Sequence, residues 1–394
     1  MTGMLSLEQA WERLFALTRP LGAETVPVEA AAGRYLAEPM VARRTQPAAD
    51  LSAMDGFAVA GPGPWRIVGE SRAGVPFAGS LAGGEALRIS TGAACPTGTE
   101  AIVLVEDGII DSDTLRALPP QPARHIRRRG FDFGAGDPLL AGGTRLGPAQ
   151  LALALTAGHG TLQAIRRPRV TVVECGDELV ADPADCAAHR LPASNGAMVA
   201  AMVAAAGGEV ARVGPLPDDR GALARAFAQA AQSDVLVTTA GASVGEHDHV
   251  RGALEDVGAE LAFWKVAIRP GKPLLVARRG AQIVVGLPGN PNSSLVTALL
   301  FVVPLVRALQ GALQPRPASL PIPLAAPAPA GGDRREFLRG RLVAGRAEPL
   351  AERDSSALRT LAAADLLIDR PINAPAAQTG EIVDCYWLGI GGIA

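Results

Sequence analysis

The sequence predicts a multidomain α/β protein: a mainly parallel α/β domain, an inserted small β-rich domain, a helical linker domain and a C-terminal small β domain or barrel. Three observations carry this reading. From residue 169 to 310, apolar strand-length runs alternate with helical periods. From about 41 to 135, short β-type runs are separated by Gly, Pro and Asp. From 331 to 394 the chain is short-stranded with many turn residues, and 394 residues exceed what one core accommodates.

In chain order, Ser6 followed by Gln9 fits a capping box, and Leu7, Ala10, Trp11, Leu14 and Phe15 recur at helical spacing, predicting a helix over 6–17. A short second helical piece is expected at 28–40. Trp65–Val68, Ala86–Ile89 and Ala101–Val105 are expected strands of the inserted domain. Residues 136–166 read as a return to helix, with Pro148 opening it and Gly158 ending it. The expected α/β elements are strands at 170–174, 209–213, 235–239, 274–277 and 283–285, and helices at 195–206, 220–232, 248–257 and 292–310. The proline-rich, nearly uncharged stretch 312–330 reads as a linker. The expected domains are 1–40 with 134–166, 41–133, 167–315 and 316–394.

Apolar content of 48% and a net charge of −2 argue against a nucleic-acid binder. Cys95, Cys175, Cys186 and Cys385 are widely spaced, with no CxxC pair, so a reducing cytoplasm is expected. The first residues lack a signal-peptide pattern, and the apolar run Leu295–Leu305 is interrupted by Pro304, so no membrane partner is expected. No GxSxG, Walker A or HExxH motif supports acyl transfer, P-loop hydrolysis or zinc proteolysis.

Of 37 basic residues only two are lysines, Lys265 and Lys272, in Phe-Trp-Lys-Val-Ala-Ile-Arg-Pro-Gly-Lys-Pro. In so arginine-rich a chain, lysine persists where a compact ammonium is needed, as on an oxyanion. Three loops follow apolar strands, where doubly wound sheets bind ligands. Thr238 to His249 contains the small residues Gly241, Ser243 and Gly245; Gly286 to Ser294 contains Pro288, Gly289 and Asn290; and Cys175-Gly-Asp-Glu places carboxylates after a strand. In the second loop, Asn292, Ser293 and Ser294 are cap-type residues. Together the loops predict a phosphorylated or nucleotide-like ligand.

Asp177, Glu178, Asp218, Asp219 and Asp248 flank these loops, and carboxylates near phosphate call for a hard divalent ion, by default Mg²⁺. Asp218 and Asp219 are equally readable as a helix cap. His247-Asp248-His249 alternates as a zinc pair would, but Cys175 is the one candidate third ligand from the same sheet edge.

These motifs, taken in order, resemble the molybdopterin molybdenumtransferase family, which includes bacterial MoeA proteins and the gephyrin E domain. The resemblance runs nearly end to end through Ser-Ala-Met-Asp-Gly-Phe-Ala-Val (52–59), Thr-Gly-Ala (91–93) and Ile-Arg-Arg-Arg-Gly-Phe-Asp (126–132). It continues through Gly-Asp-Glu-Leu (176–179), Ser-Asn-Gly (194–196), Ala-Gly-Ala-Ser-Val-Gly-Glu-His-Asp (240–248), the lysine segment and Leu-Pro-Gly-Asn-Pro (287–291).

The resemblance implies a transferase that inserts molybdate into adenylylated molybdopterin with release of AMP, assisted by Mg²⁺. It implies a Rossmann-like α/β domain in a homodimer whose cleft is shared, with Asp55 and Thr91 facing the partner's α/β side. Contact with a molybdopterin adenylyltransferase would fit the same pathway. By motif position, Asp55, Thr91, Glu178, Asp218, Asp248, Lys265 and Lys272 would be catalytic, with Glu178, Asp218 and Asp248 at the metal. Arg127, Asp132, Ser194, Asn195, Gly241, Ser243, Gly245, Arg269, Pro288, Gly289 and Asn290 would bind substrate. Arg335 or Arg339, with Ser355 or Ser356, match its C-terminal oxyanion contacts. The chain departs from the family pattern at Arg269, where Lys is usual, at Ala240, where Gly is usual, and at Asn292, where a small apolar residue is usual. Alternatives are a molybdopterin adenylyltransferase, whose single-domain form lacks the Ser-Ala-Met-Asp-Gly motif, and a non-catalytic scaffold, which has no need of the acidic set.

Overall fold

The structure, a computed structural model, describes residues 4–240 and 249–388. Its centre is a six-stranded sheet. In this sheet β1 is Arg169–Cys175, β2 Glu209–Leu216, β3 Val235–Thr238, β4 Glu260–Trp264, β5 Leu275–Arg279 and β6 Gln282–Gly286. The order is β2-β1-β3-β6-β5-β4. β2, β1, β3 and β6 pair in parallel, while β5 runs antiparallel to both β6 and β4. The sequence reading missed β4, because its burial is one-sided and its pattern resembles a loop: Glu260 and Leu261 are exposed and Phe263 is buried.

Helices cover both faces, as buried parallel strands require. One face buries Val199 and Val203 of the helix Asn195–Ala205, together with the long apolar helix Pro291–Leu309. The other buries Leu223 and Phe227 of the helix Arg220–Gln229, and Val250, Ala253 and Leu254 of the helix His249–Asp256. Pro291–Leu309 is the one described helix long and apolar enough to cross a membrane, with mean hydropathy 1.7, but 89% of that window is buried inside the protein. It is the core helix of this layer.

The N-terminal helix Leu7–Ala16 has both capping-box bonds, Gln9 N–H to Ser6 Oγ at 3.2 Å and Ser6 N–H to Gln9 Oε1 at 3.0 Å. Its apolar stripe of Leu7, Ala10, Trp11 and Leu14 packs into the α/β core. The expected helical piece at 28–40 is instead a single 3₁₀ turn, Val28–Ala30, followed by a bridge at Tyr35 and the strand Met40–Val41. Within 136–166, helix is confined to Pro148–Thr156, and Thr161–Ile165 is a strand paired antiparallel with Ala23–Pro27. The two halves therefore rejoin through a strand pair rather than helix against helix. Alanine-rich sequence favours helix locally, but here pairing to a distant strand decides.

Between these halves lies a mixed six-stranded sheet in the order Ala101–Leu104, Gly56–Ala60, Glu85–Ile89, Trp65–Ser71, Thr114–Arg116, Ile109–Asp111. At the C-terminus, Arg335–Val343, Leu366–Arg370 and Ile382–Trp387 pair antiparallel, and Ser319–Pro323 pairs with Ile382–Trp387. The expected linker thus contains an edge strand, since proline is tolerated where no ladder donor is needed. A bridge from Leu324 to Ala347 brings that strand to Arg346–Pro349, which pairs back onto Arg335–Val343 and closes the ring around Leu366, Ile368 and Val383.

Candidate active site

The lysine segment leaves the central sheet between β4 and β5. Lys265 follows β4 directly with φ +68°, the left-handed region that costs a non-glycine residue free energy. Its ammonium stands 3.9 Å from the centroid of the Trp264 ring, within cation–π range. Ile268–Arg269 then pairs in parallel with Arg335–Glu336, tying the segment to the C-terminal sheet. Gly271 has φ +106°, and a Cβ there would stand 2.5 Å from Thr297 Cγ2, so the turn that presents Lys272 needs glycine.

A cleft of about 320 Å³ opens between this segment and the C-terminal sheet. Its walls include Arg269, Lys272, Asn292, Arg339 and Ser355. Arg269 donates to Glu336 Oε1 at 3.1 Å, so part of its charge is already paired. Arg339 spends its N–H groups on three carbonyls, Glu352 at 2.6 Å, Asp354 at 3.0 Å and Ala357 at 3.2 Å. Burial lowers its pKa from the usual guanidinium range. It therefore shapes the 352–357 loop that carries Ser355 and Ser356. Asn292 is only 4% exposed and its Oδ1 has no partner. It sits within the first helical turn rather than capping it: the N-cap is Asn290, whose side chain reaches Ser355 Oγ at 2.8 Å.

A second cleft of about 720 Å³ continues from the first, sharing Pro273 and Ser293 as walls. Glu174, Glu178, Ser194, Asn195, Asn290 and Ser356 line it, together with Pro288 and Gly289. Ser194 is the N-cap of the helix Asn195–Ala205 but makes no side-chain cap bond; Glu174 Oε1 instead accepts the Gly196 N–H at 3.0 Å. Asn195 Nδ2 donates to the Gly289 carbonyl at 2.6 Å, joining two of the loops that the sequence singles out.

Beside this cleft is an acidic edge. Asp218 N–H donates to Asp177 Oδ1 at 3.1 Å. Burial raises the pKa of the Asp218 carboxyl from the ordinary value, the Asp177 N–H opposes that, and the charges of Asp177 and Glu178 raise it further. Asp219 accepts the Ala222 N–H at 2.7 Å as N-cap of the helix Arg220–Gln229. Capping thus belongs to Asp219, which leaves the Asp218 carboxyl for other work. Mutually opposed carboxylates have the hard oxygen chemistry of a Mg²⁺ site. Among the described residues, however, no three His, Cys, Asp or Glu side chains converge as ligands. Asp248, Gly241, Ser243, Gly245 and His247 lie outside the described residues.

Comparison with known proteins places this arrangement. Residues 5–158 match the MoeA N-terminal region (domain I and II), 171–308 a probable molybdopterin binding domain, and 321–388 the MoeA C-terminal region (domain IV). The molybdopterin molybdenumtransferase of Haemophilus influenzae is 36% identical over 79% of this chain and 79% of its own length. That of Synechococcus elongatus is 36% identical over 91% of this chain and 93% of its own. The chain belongs to the molybdopterin molybdenumtransferase family. A crystal structure of a molybdopterin biosynthesis MoeA protein from Pyrococcus horikoshii is 28% identical, with a TM-score of 0.81 over 98% of this chain and 100% of that one. The family is one of transferases, and the resemblance seen in the sequence holds along the chain.

The remaining molybdenumtransferase motif residues lie outside the two clefts. Asp55 Oδ1 accepts both the backbone N–H of Thr91, at 2.7 Å, and its hydroxyl, at 3.1 Å. Gly56 follows because a Cβ there would stand 2.0 Å from the Val103 carbonyl oxygen. Arg127 is exposed and pairs across from Leu51, while Asp132 is exposed and its N–H bonds the Gln46 carbonyl at 3.1 Å. None of these four lines either cleft within one chain.

Arg335 is one of the two arginines that the motif offers for the C-terminal oxyanion contacts. Its guanidinium is held by Asp369, with contacts of 2.5–3.0 Å, and by Glu8. It lines neither cleft. Glu174, Arg334 and Arg353 do line them and were not foreseen. For Glu174 a signal existed, since it sits near the carboxyl end of β1, where such sheets bind ligands.

Proposed function

We propose that the chain inserts molybdate into adenylylated molybdopterin and releases AMP, the last step of molybdenum cofactor synthesis, in the cytoplasm. The observation that carries this reading is the pair of joined clefts with opposite character. One end offers Arg269, Lys272 and Arg353 to an oxyanion, and the other offers Glu174, Glu178, Asn195 and Asn290 to a polar heterocycle. Molybdate is a dianion, so cationic and N–H donors hold it by charge-assisted hydrogen bonds. Lys265, strained beside Trp264, is a compact ammonium kept next to this segment.

Mg²⁺ would be held by Glu178 and Asp218 together with Asp248, and would polarise the phosphoanhydride and neutralise charge on departing AMP. The residues themselves orient the substrate: Asn195 and Asn290 fix the loops against the 352–357 segment, and Lys272 faces the oxyanion. The sulfurs that take the metal belong to the substrate, which explains the lack of a cysteine motif. Asp55 and Thr91, locked together outside the clefts, fit a homodimer whose partner supplies them across a shared site. We divide the chain accordingly into four domains, at 1–40 with 134–166, 41–133, 167–315 and 316–394. A functional contact with a molybdopterin adenylyltransferase fits the same step.

The test is AMP release from adenylylated molybdopterin on adding molybdate and Mg²⁺. Release that depends on both supports the reading; release without molybdate, or none with both, contradicts it.

A further inference from the structure

The larger cleft is lined by a carboxylate, Glu174, and by an amide, Asn195, whose Oδ1 has no donor. Glu174 is 3% exposed yet lines the cleft. Its Oε1 takes the Gly196 N–H, while Oε2 is ion-paired with Arg212 at 3.7 Å, too long for a hydrogen bond. A Cβ on Gly196 would stand 2.4 Å from that Oε2, so glycine is what lets the carboxylate lie against the start of the helix. Asn195, the next lining residue, has its amide orientation fixed, because the Gly289 carbonyl accepts only from Nδ2. Its Oδ1 is therefore an acceptor, buried and without a partner.

A buried acceptor without a donor, as Asn195 Oδ1 is, costs about 1–3 kcal/mol, so the ligand face that meets it carries N–H groups. A carboxylate and an amide oxygen that line one cleft match a ring edge that carries N–H donors. They do not match a phosphate or molybdate oxygen, which would be repelled. The anionic groups of the substrate then belong at the other end, toward Lys272.

We propose that Glu174 Oε2 and Asn195 Oδ1 accept the 2-amino and N3–H edge of the pterin ring, making Glu174 the residue that selects the heterocycle and sets the substrate's direction along the groove. This rests on the molybdopterin reading of the site. A pterin presents donors at both positions, whereas a lumazine has a 2-oxo group where the pterin has its amine.

The experiment measures binding of 6-carboxypterin and 6-carboxylumazine to the full-length protein by calorimetry, with AMP release assayed on the same preparation. Wild type is expected to prefer the pterin by about tenfold or more, the scale of one lost hydrogen bond to a charged acceptor. Glu174→Gln, which keeps the size and the Gly196 bond but adds a donor, is expected to bring the two ligands within about twofold. Asn195→Ala, at a position whose change leaves Glu174 in place, is expected to weaken the preference as well. Retention of the full preference in both variants, equal binding by wild type, or binding of neither ligand overturns the proposal. AMP release without heterocycle preference overturns this inference alone. Heterocycle preference without molybdate-dependent AMP release overturns the functional reading alone.

Discussion

Asn290 and Ser355 meet at 2.8 Å, amide to hydroxyl, across the boundary between the central sheet and the C-terminal one. The Asn292 N–H adds a second tie, to the Ser355 carbonyl at 3.0 Å. The junction lies where the two clefts join, so it fixes the angle between their walls. Asn290→Ala removes one neutral bond, worth about 0.5–1.5 kcal/mol, and leaves the backbone tie. The expected outcome is a folded protein with a several-fold higher KM for molybdate. An unchanged KM would show that the junction does not position the oxyanion end.

Asp218 gives a pH-dependent prediction. Its folded-state pKa is raised, chiefly by burial and then by neighbouring carboxylates, so the folded protein holds this proton more tightly than the unfolded chain. The stability it contributes is full below the ordinary value of 3.8 and is lost as pH rises through the raised value. Asp218→Asn should therefore melt higher than wild type at pH 7 without Mg²⁺, with the difference shrinking toward pH 4. Added Mg²⁺ should raise the melting temperature of wild type more than that of the variant. A variant that melts lower at pH 7 and gains as much from Mg²⁺ contradicts this role.

Trp11 and Pro304 are linked through a carbonyl. Pro304 has no N–H to give residue 300, four positions earlier in the helix, and the Trp11 Nε1–H donates to the Leu300 carbonyl at 2.6 Å. The helix is π-wound over Ala298–Val302 at this point. Trp11→Phe leaves that buried carbonyl unpaired and should cost about 1–3 kcal/mol in denaturant unfolding. In a Pro304→Ala background, where the helix regains its own donor, the same change should cost less. Equal costs in the two backgrounds would rule out the link.

The proposed sharing of a cleft between two subunits predicts complementation. Asp55→Ala and Glu178→Ala proteins should each be inactive, and mixed subunits should recover part of the activity, because one cleft of a mixed dimer keeps both residues. No recovery after confirmed subunit exchange would place both residues in one chain's site.

The central sheet was legible because its strands are buried on both faces and read as continuous apolar runs, and the N-terminal helix because Ser6 and Gln9 announce its start. The strands Glu260–Trp264 and Ser319–Pro323 were not, since one is half-exposed and the other is proline-rich, and each forms only by pairing with distant chain. Asp55, Thr91 and the loop residues Asn195, Gly289 and Asn290 were named from sequence; the structure bonds Asp55 to Thr91 outside the clefts, Asn195 to Gly289 and Asn290 to Ser355. Glu174 looked like the end of a buried strand. Arg335 is held by Asp369, which is distant in sequence. Such partners are set by tertiary pairing, which no local pattern encodes.

The lysines carry the central claim. Lys272 faces the smaller cleft beside Arg269, while Lys265 stands on the Trp264 ring at a strained backbone position. The most direct measurement is molybdate-dependent AMP release by wild type, Lys272→Ala and Lys265→Ala, each with its oligomeric state and melting temperature recorded. The account predicts release by wild type and its loss in both variants, with folding retained. Wild-type rates in a folded Lys272→Ala protein would contradict it.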